Sequence, residues 1–242
     1  MLNTFAALFL AHTLADYLFQ TKRMVETKKH PLTLLIHFAL VLVTAGAALG
    51  QYARWEVLAL ALAHILIDIT KAQFAPDTAR TYLADQGAHL LTLIATATLA
   101  PNLWSTGLWA SAPAILPSAL LLIAGGLYAT RAGGFAVGKL MAPYAAGAPE
   151  HSLPGGGMMI GQLERGLIYL MFLVGQPAGI GFLIAAKSVL RFDAASKNEK
   201  AEYVIIGTLA SFGWAIAVSF VVLGLLHAMN GQPFLEIIAP KP

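Results

Sequence analysis

The stretch AHTLADYLFQ, residues 11–20, decides how this sequence folds. Its polar residues His12, Asp16 and Gln20 recur every four positions within an otherwise apolar segment. In a helix of about 3.6 residues per turn, these three side chains lie above one another on a single face. The stretch therefore predicts a helix with one polar face and apolar surfaces on its other sides.

The same pattern returns 52 residues later as AHILID, residues 63–68. This offset places His64 and Asp68 on His12 and Asp16, and it also takes His37 onto His89. Three matched pairs at one spacing predict a duplicated two-helix unit. We therefore expect residues 1–100 to form a four-helix half built from two tandem hairpins, 1–50 and 51–100.

The composition is that of a membrane protein. Of the 242 residues, 58% are hydrophobic and only 11% are charged, whereas soluble domains are less apolar and carry more charge. Apolar runs of about 20 residues, long enough to cross a bilayer, alternate with short polar connectors. We predict an all-α, polytopic transmembrane helix bundle of about seven to eight helices. The net charge of +3 gives no reason to expect nucleic acid as a partner.

Basic residues indicate the orientation of these helices. The first and third connectors hold several lysines and arginines, the second holds Arg54 alone, and residues 101–117 hold none. Cytoplasmic loops of membrane proteins carry the excess of positive charge. The sequence therefore predicts a multi-pass protein with its amino terminus outside.

The histidines of the first half fall at one depth, six to eight residues from the basic ends of their helices. Asp16, Asp68 and Asp85 form a second layer about one turn nearer the cytoplasm. If a pseudo-twofold axis along the membrane normal relates the two hairpins, equivalent positions of the four helices meet at the centre of the bundle. The expected metal ligands are His12, Asp16, His37, His64, Asp68 and His89, with Gln20, Lys71 and Gln86 at the cytoplasmic mouth.

Buried aspartates in lipid need a compensating charge, which a divalent cation supplies. Because the sequence has no cysteine, the ligands must be imidazole and carboxylate, which suit zinc first and also iron, manganese or nickel. Two other interpretations remain: a proton or ion relay through the same residues, and polar side chains that only hydrogen-bond between helices.

Two classes of function follow from a metal site. As an enzyme, the protein would be a metal-dependent hydrolase with Asp85 or Asp16 as general base, acting on a lipid or a cytoplasmic small molecule. As a transporter, it would move a divalent cation or protons. The external halves of the four helices offer little beyond threonine and glycine. This favours a site open only to the cytoplasm, and hence the enzyme.

Residues 101–242 are predicted to form a second membrane half. A glycine-rich span from about Pro117 contains one G-x-x-x-G motif, which indicates tight internal packing or a homodimer contact. Residues 142–158 are expected to be a mobile loop. Residues 160–192 are predicted to form a re-entrant hairpin turning at Pro177, the alternative being a single span, and a last span follows from Tyr203. The basic residues of this half either bind an anionic head group or only set the topology: Arg165, Lys187 and Arg191.

Several segments carry a resemblance. The His-x-x-x-Asp helices, Asp-Gln-x-x-His at 85–89, Gly-Gln-Leu-Glu-Arg at 161–165 and Glu-Tyr-Val-Ile-Ile-Gly-Thr at 202–208 resemble an uncharacterised family of bacterial integral membrane proteins. The resemblance implies a bacterial inner-membrane location and no established activity. More loosely, the helices are similar to the zinc site of cation diffusion facilitators and to membrane-bound metal-dependent hydrolases.

Overall fold

The computed structural model describes residues 1–147, 155–190 and 198–231, and every regular element in this part of the chain is helical. The predicted all-α class is therefore confirmed. The exact number of membrane helices and the duplication of the first half stay predictions.

The first part of the chain forms five helices. α1 (Leu2–Leu14) continues as a π-helical turn (Ala15–Phe19), and the short α2 (Lys22–Glu26) lies in the following connector. The long helices are α3 (Pro31–Leu49), α4 (Trp55–Phe74) and α5 (Ala79–Leu99). The π-helical turn is a departure from the sequence repeat, because Asp16 lies in it whereas Asp68 lies in regular α-helix.

Local sequence signals fix the ends of these helices. At the start of α3, His30 accepts a hydrogen bond from the backbone of Leu32, and Pro31 occupies the first turn. α3 ends at Gly50, which adopts the left-handed conformation at φ 68° that favours glycine. α5 begins with a capping box formed by Thr78 and Thr81.

Five helices in the described residues are long and apolar enough to cross a membrane: Leu2–Phe19, Pro31–Leu49, Trp55–Phe74, Leu116–Ala145 and Ala201–Met229. These spans identify the chain as a membrane protein. α5 has a comparable length of 21 residues but is not one of the five, because it carries more polar side chains.

The helix faces are inverted relative to those of a soluble protein. On α4, Leu58, Leu62 and Leu66 form an exposed stripe, and Leu66 is 62% exposed. The opposite face of the same helix buries His64 and Asp68. An apolar exterior around a polar interior is unfavourable in water and suited to a lipid environment. The fold therefore gathers the polar side chains of the first half in its centre.

The chain divides into two compact units within α6 and α10. The first unit comprises Met1–Ala124 and the end of α10 from Leu225, and the second is Gly125–Gly224. The helices of the later part of the chain are α6 (Leu116–Leu127), a π-helical turn (Tyr128–Ala132), α7 (Gly133–Met141), a 3-10 helix (Ala142–Gly147), α8 (Gly156–Leu173), α9 (Gly179–Leu190) and α10 (Asn198–Met229).

α8 and α9 form a hairpin. α8 ends at Leu173 and α9 begins at Gly179. Ile168 and Ile180 pack into one apolar cluster, and Lys187 reaches back to Glu164 with Nζ 2.7 Å from Oε2. The chain thus reverses direction around Pro177 rather than continuing as one span. Of the loop predicted at residues 142–158, the first part forms the 3-10 helix Ala142–Gly147 and the last part begins α8 at Gly156, while residues 148–154 lie outside the described residues.

Candidate metal centre

Four helices of the first unit direct imidazole and carboxylate groups into one buried cluster. The contributions come from the α1 end and its π-helical turn, from α3, from α4 and from α5. The side chains are almost completely removed from the surface: His12, Asp16, His37, His64, Asp68, Asp85 and His89. On α4, the four-residue spacing of His64 and Asp68 places both on the buried face of the helix.

Four atoms form the tightest part of the cluster: Nε2 of His37, Nε2 of His64, Oδ1 of Asp16 and Oδ2 of Asp68. The two imidazole nitrogens are 3.1 Å apart. Asp16 Oδ1 lies 3.4 Å from His37 Nε2 and 3.2 Å from His64 Nε2. Asp68 Oδ2 lies 3.2 Å from His37 Nε2 and 3.8 Å from His64 Nε2. Both carboxylate oxygens thus lie within 3.8 Å of both imidazole nitrogens.

These separations are close to the spacing of ligand atoms around a bound zinc ion. Zinc binds imidazole nitrogen and carboxylate oxygen at about 2.0–2.1 Å, which requires ligand-to-ligand distances of about 3.3–3.4 Å in a tetrahedron. The five nitrogen–nitrogen and nitrogen–oxygen distances range from 3.1 to 3.8 Å, and the ligand atoms of His37, His64 and Asp68 all lie within 4.8 Å of one another. His37, His64 and Asp68 are therefore spaced as potential ligands of one divalent cation, and Asp16 Oδ1 lies close to both imidazole nitrogens.

Unsatisfied polar atoms support the same interpretation. Asp16 Oδ1 and Asp68 Oδ2 are buried and have no hydrogen-bond partner, in spite of the imidazole nitrogens nearby. A buried carboxylate oxygen without a partner costs free energy, on the order of 1–3 kcal/mol or more when charged. A cation held among the four atoms would remove this cost for both oxygens.

Further donors surround the four-atom set. His12, Asp16 and His64 form one group of ligand atoms within 4.8 Å of one another, and Asp68, Asp85 and His89 form a second. Asp85 Oδ1 is also buried without a hydrogen-bond partner. The cluster therefore holds more potential ligands than one tetrahedral ion needs, and Asp85 is the carboxylate that lies outside the tightest set.

Two lysines reach the cluster from its polar end. Lys28 Nζ lies 2.7 Å from Asp68 Oδ1, and Lys71 Nζ lies 2.8 Å from Asp85 Oδ2. Burial favours the neutral amine of Lys28, but the carboxylates of Asp68 and Asp16 outweigh burial and raise the pKa of this lysine above its usual value. Each lysine neutralises part of the negative charge on the aspartates.

A hydrogen-bond network connects α1 and α5 beside the cluster. Tyr17 donates its hydroxyl to Gln86 Oε1 at 2.6 Å and lies 2.8 Å from the Tyr82 hydroxyl. Gln86 Oε1 also lies 3.3 Å from His12 Nε2, and its amide nitrogen donates to Asp85 at 3.2 Å. Because the amide oxygen can only accept, this hydrogen bond requires a proton on His12 Nε2, while His12 Nδ1 lies 3.8 Å from Asp16 Oδ2.

The sequence-predicted residues of the first half lie in or beside this cluster. The six predicted ligands and Asp85 form its interior. Gln20 Nε2 lies 3.3 Å from His37 Nε2, while Lys71 and Gln86 contact Asp85. The structure brings Arg165 and Lys187 to one cavity of the second unit. Arg191 lies outside the described residues.

Sequence reasoning missed Lys28, Tyr17 and Tyr82. Lys28 reaches Asp68 across 40 residues of sequence, and in the sequence it is one of several lysines in a basic connector. Tyr17 lies in the π-helical turn, where its hydroxyl contacts both Gln86 and Tyr82. Nothing in the periodicity of the segment predicts that turn.

The fold and the cluster define a helical membrane protein with a buried group of potential metal ligands. Residues 4–112 match a family described as "Protein of unknown function (DUF3307)". This match confirms the resemblance to an uncharacterised family over the part of the chain that carries the cluster. No curated protein and no solved structure matches the chain.

Proposed function

We propose that this membrane protein binds a divalent cation through His37, His64, Asp16 and Asp68. The observation that carries the proposal is a set of four buried ligand atoms in which each carboxylate oxygen lies 3.2–3.8 Å from both imidazole nitrogens and has no hydrogen-bond partner. Zinc fits this donor set best, because it favours four-coordinate sites of imidazole and carboxylate. Iron, manganese or nickel are the other candidates.

We infer that the activity is metal-dependent hydrolysis of an ester, amide or phosphoester, supplied by the lipid or the cytoplasm. The metal would supply Lewis-acid activation of water. Asp85 is the proposed general base, because its Oδ1 is buried, unsatisfied and outside the tightest ligand set. Asp16, which the sequence also offers as a base, has its Oδ1 among the four close atoms and serves better as a ligand.

The distribution of polar groups supports a site reached from one side. Lys28, Lys71 and Gln20 lie toward the connectors that follow α1 and α4. Toward the opposite end, the buried hydroxyls of Thr4 and Thr44 donate to the backbone carbonyls of Pro101 and Leu40. These threonines offer no continuation of the polar path. In a bacterial inner membrane with the amino terminus outside, the open end would face the cytoplasm.

A divalent cation transporter is the second candidate, because the neighbouring groups of potential ligands offer more than one position for an ion. The two functions are separated by assaying purified protein in two ways. Chromogenic ester, amide and phosphodiester substrates in mixed micelles test hydrolysis, and zinc-loaded liposomes test transport.

We expect chelator-sensitive hydrolysis that is lost in Asp85→Asn, while that variant keeps the metal content of the wild type. Asp77→Asn, an exposed aspartate in the connector between α4 and α5, is the matched control and should retain both properties. Zinc flux through the liposomes without hydrolysis of any of the three substrates would overturn the enzyme assignment in favour of transport.

A further inference from the structure

The second unit contains a cavity of about 420 Å³ that is separate from the metal centre. It is lined by side chains of α7, α8, α9 and α10. Its polar lining includes Glu164, Arg165, Lys187 and Ser211, and its remaining walls are largely apolar. A polar pocket with apolar walls in a membrane protein is suited to an amphiphilic ligand.

Glycines create this cavity. Gly134 and Gly138 on α7, and Gly157 and Gly161 on α8, line it at four-residue spacing. A Cβ atom added to Gly138 or Gly157 would meet nothing within 4 Å. Within the described residues, these two glycines therefore face open space instead of a closely packed helix.

Arg165 provides a buried positive charge at the cavity wall. The residue is only 3% exposed. Its Nε and Nη2 donate to the backbone oxygen of Thr130 at 3.2 and 2.9 Å, and Nη1 donates to Ser211 Oγ at 2.9 Å. These acceptors are all neutral, and one N–H remains on each of Nη1 and Nη2. A Cβ added to Gly161 would lie 3.0 Å from Nη1, and one added to Gly134 would lie 3.2 Å from Nη2. Both nitrogens therefore face the glycines of the cavity.

The nearby carboxylate of Glu164 is shared between this arginine and a lysine. Glu164 pairs with Lys187, whose Nζ lies 2.7 Å from Oε2. Among the described residues, Arg165 makes no salt bridge, so the charged groups of the lining sum to one positive charge. An excess of buried positive charge is costly, and a bound anion would balance it.

We propose that this cavity binds the monoanionic phosphodiester of a phospholipid head group. The free N–H groups of a planar guanidinium match two phosphate oxygens. One negative charge balances the net charge of the lining, and apolar side chains such as Val137 and Val204 provide contact for the first part of the acyl chains. The lipid is favoured over free phosphate because the walls beside the charged groups are apolar.

Titration of the purified full-length protein in neutral detergent tests the proposal. The probes are short-chain phosphatidylglycerol and inorganic phosphate, and the readout is calorimetric binding. Gly138→Leu fills open space in the cavity without removing any charge, and we expect it to weaken phosphatidylglycerol binding by at least roughly tenfold. Gly213→Leu is the control, because Gly213 also faces open space but does not line the cavity.

Arg165→Gln should abolish the binding of phosphatidylglycerol. If this variant fails to fold, the two glycine variants still decide the test. Unchanged binding in Gly138→Leu, or equal loss in Gly213→Leu, would overturn the site. Saturation by inorganic phosphate with no advantage for phosphatidylglycerol would overturn the lipid as the source of the anion. None of these results depends on the metal centre.

Discussion

At the scale of single residues, the candidate metal centre is a balance between carboxylates and the cations that face them. Asp68 directs Oδ2 into the four-atom set and Oδ1 toward Lys28. In the absence of a metal, Lys28 is therefore a direct counter-charge for a completely buried aspartate. Removing one partner of a buried ion pair commonly costs about 3–5 kcal/mol, because the other charge stays buried.

Lys28→Met tests this balance, since it keeps the length of the side chain and removes the charge. We expect a lower thermal stability without metal and a larger stabilisation by added zinc than in the wild type, because zinc then provides the missing positive charge. Lys29→Met changes the exposed neighbouring lysine and should behave like the wild type. Thermal unfolding of each variant without and with zinc measures its metal-free stability and its stabilisation by zinc. Equal zinc stabilisation in the wild type and Lys28→Met would contradict this role.

The sequence predicts the members of the cluster better than their individual roles. The four-residue periodicity of His12, Asp16, His64 and Asp68 is enough to place them on buried helix faces. Which atoms come closest depends on side-chain rotamers and on packing between helices, neither of which periodicity contains. Lys28 could not be predicted because its partner is distant in sequence.

At the scale of elements, helix lengths follow directly from the apolar runs and their capping residues. The π-helical turns do not, because a single extra residue per turn leaves no compositional signal. The one after α1 carries Asp16 and brings Tyr17 to Gln86. In the π-helical turn before α7, the backbone carbonyl of Tyr128 accepts a hydrogen bond from Trp214, and that of Thr130 accepts one from Arg165. Each interruption of regular helix thus lies beside one of the two candidate sites.

The turn between α8 and α9 offers a test of hairpin geometry. Gly175 has φ 69°, and neither Gly175 nor Gly181 has an atom that would clash with an added Cβ. Gly175→Ala should therefore destabilise the protein by about 1 kcal/mol through backbone strain alone. Gly181→Ala lies within α9 and should be neutral or stabilising, by up to about 1 kcal/mol. Unfolding in detergent measures the change in stability of each variant. Similar changes in stability for the two variants would contradict the turn geometry.

At the scale of the whole molecule, composition predicts the membrane class, and the inverted helix faces agree with it. The orientation rests on the distribution of lysine and arginine, which the fold does not test. The boundary between the two compact units could not be read from the sequence, because it falls inside continuous helices.

Because the sequence has no cysteine, single cysteines report the orientation without background. Ala53→Cys lies in the connector between α3 and α4, and Lys29→Cys lies in the connector before α3. With the amino terminus outside, a membrane-impermeant maleimide should label Ala53→Cys in intact cells and Lys29→Cys only after permeabilisation. The reverse pattern would invert the proposed topology and place the open end of the cluster outside.

The most direct test of the metal centre is elemental analysis combined with X-ray absorption at the zinc edge. The wild-type protein should hold one tightly bound zinc per chain, with nitrogen and oxygen ligands at about 2.0–2.1 Å that include two imidazoles. His64→Ala should lose this zinc, whereas His227→Ala, which removes a histidine outside all the donor groups, should retain it. Purified protein that takes up no stoichiometric divalent metal, or a His64→Ala variant that keeps the same coordination, would contradict the assignment.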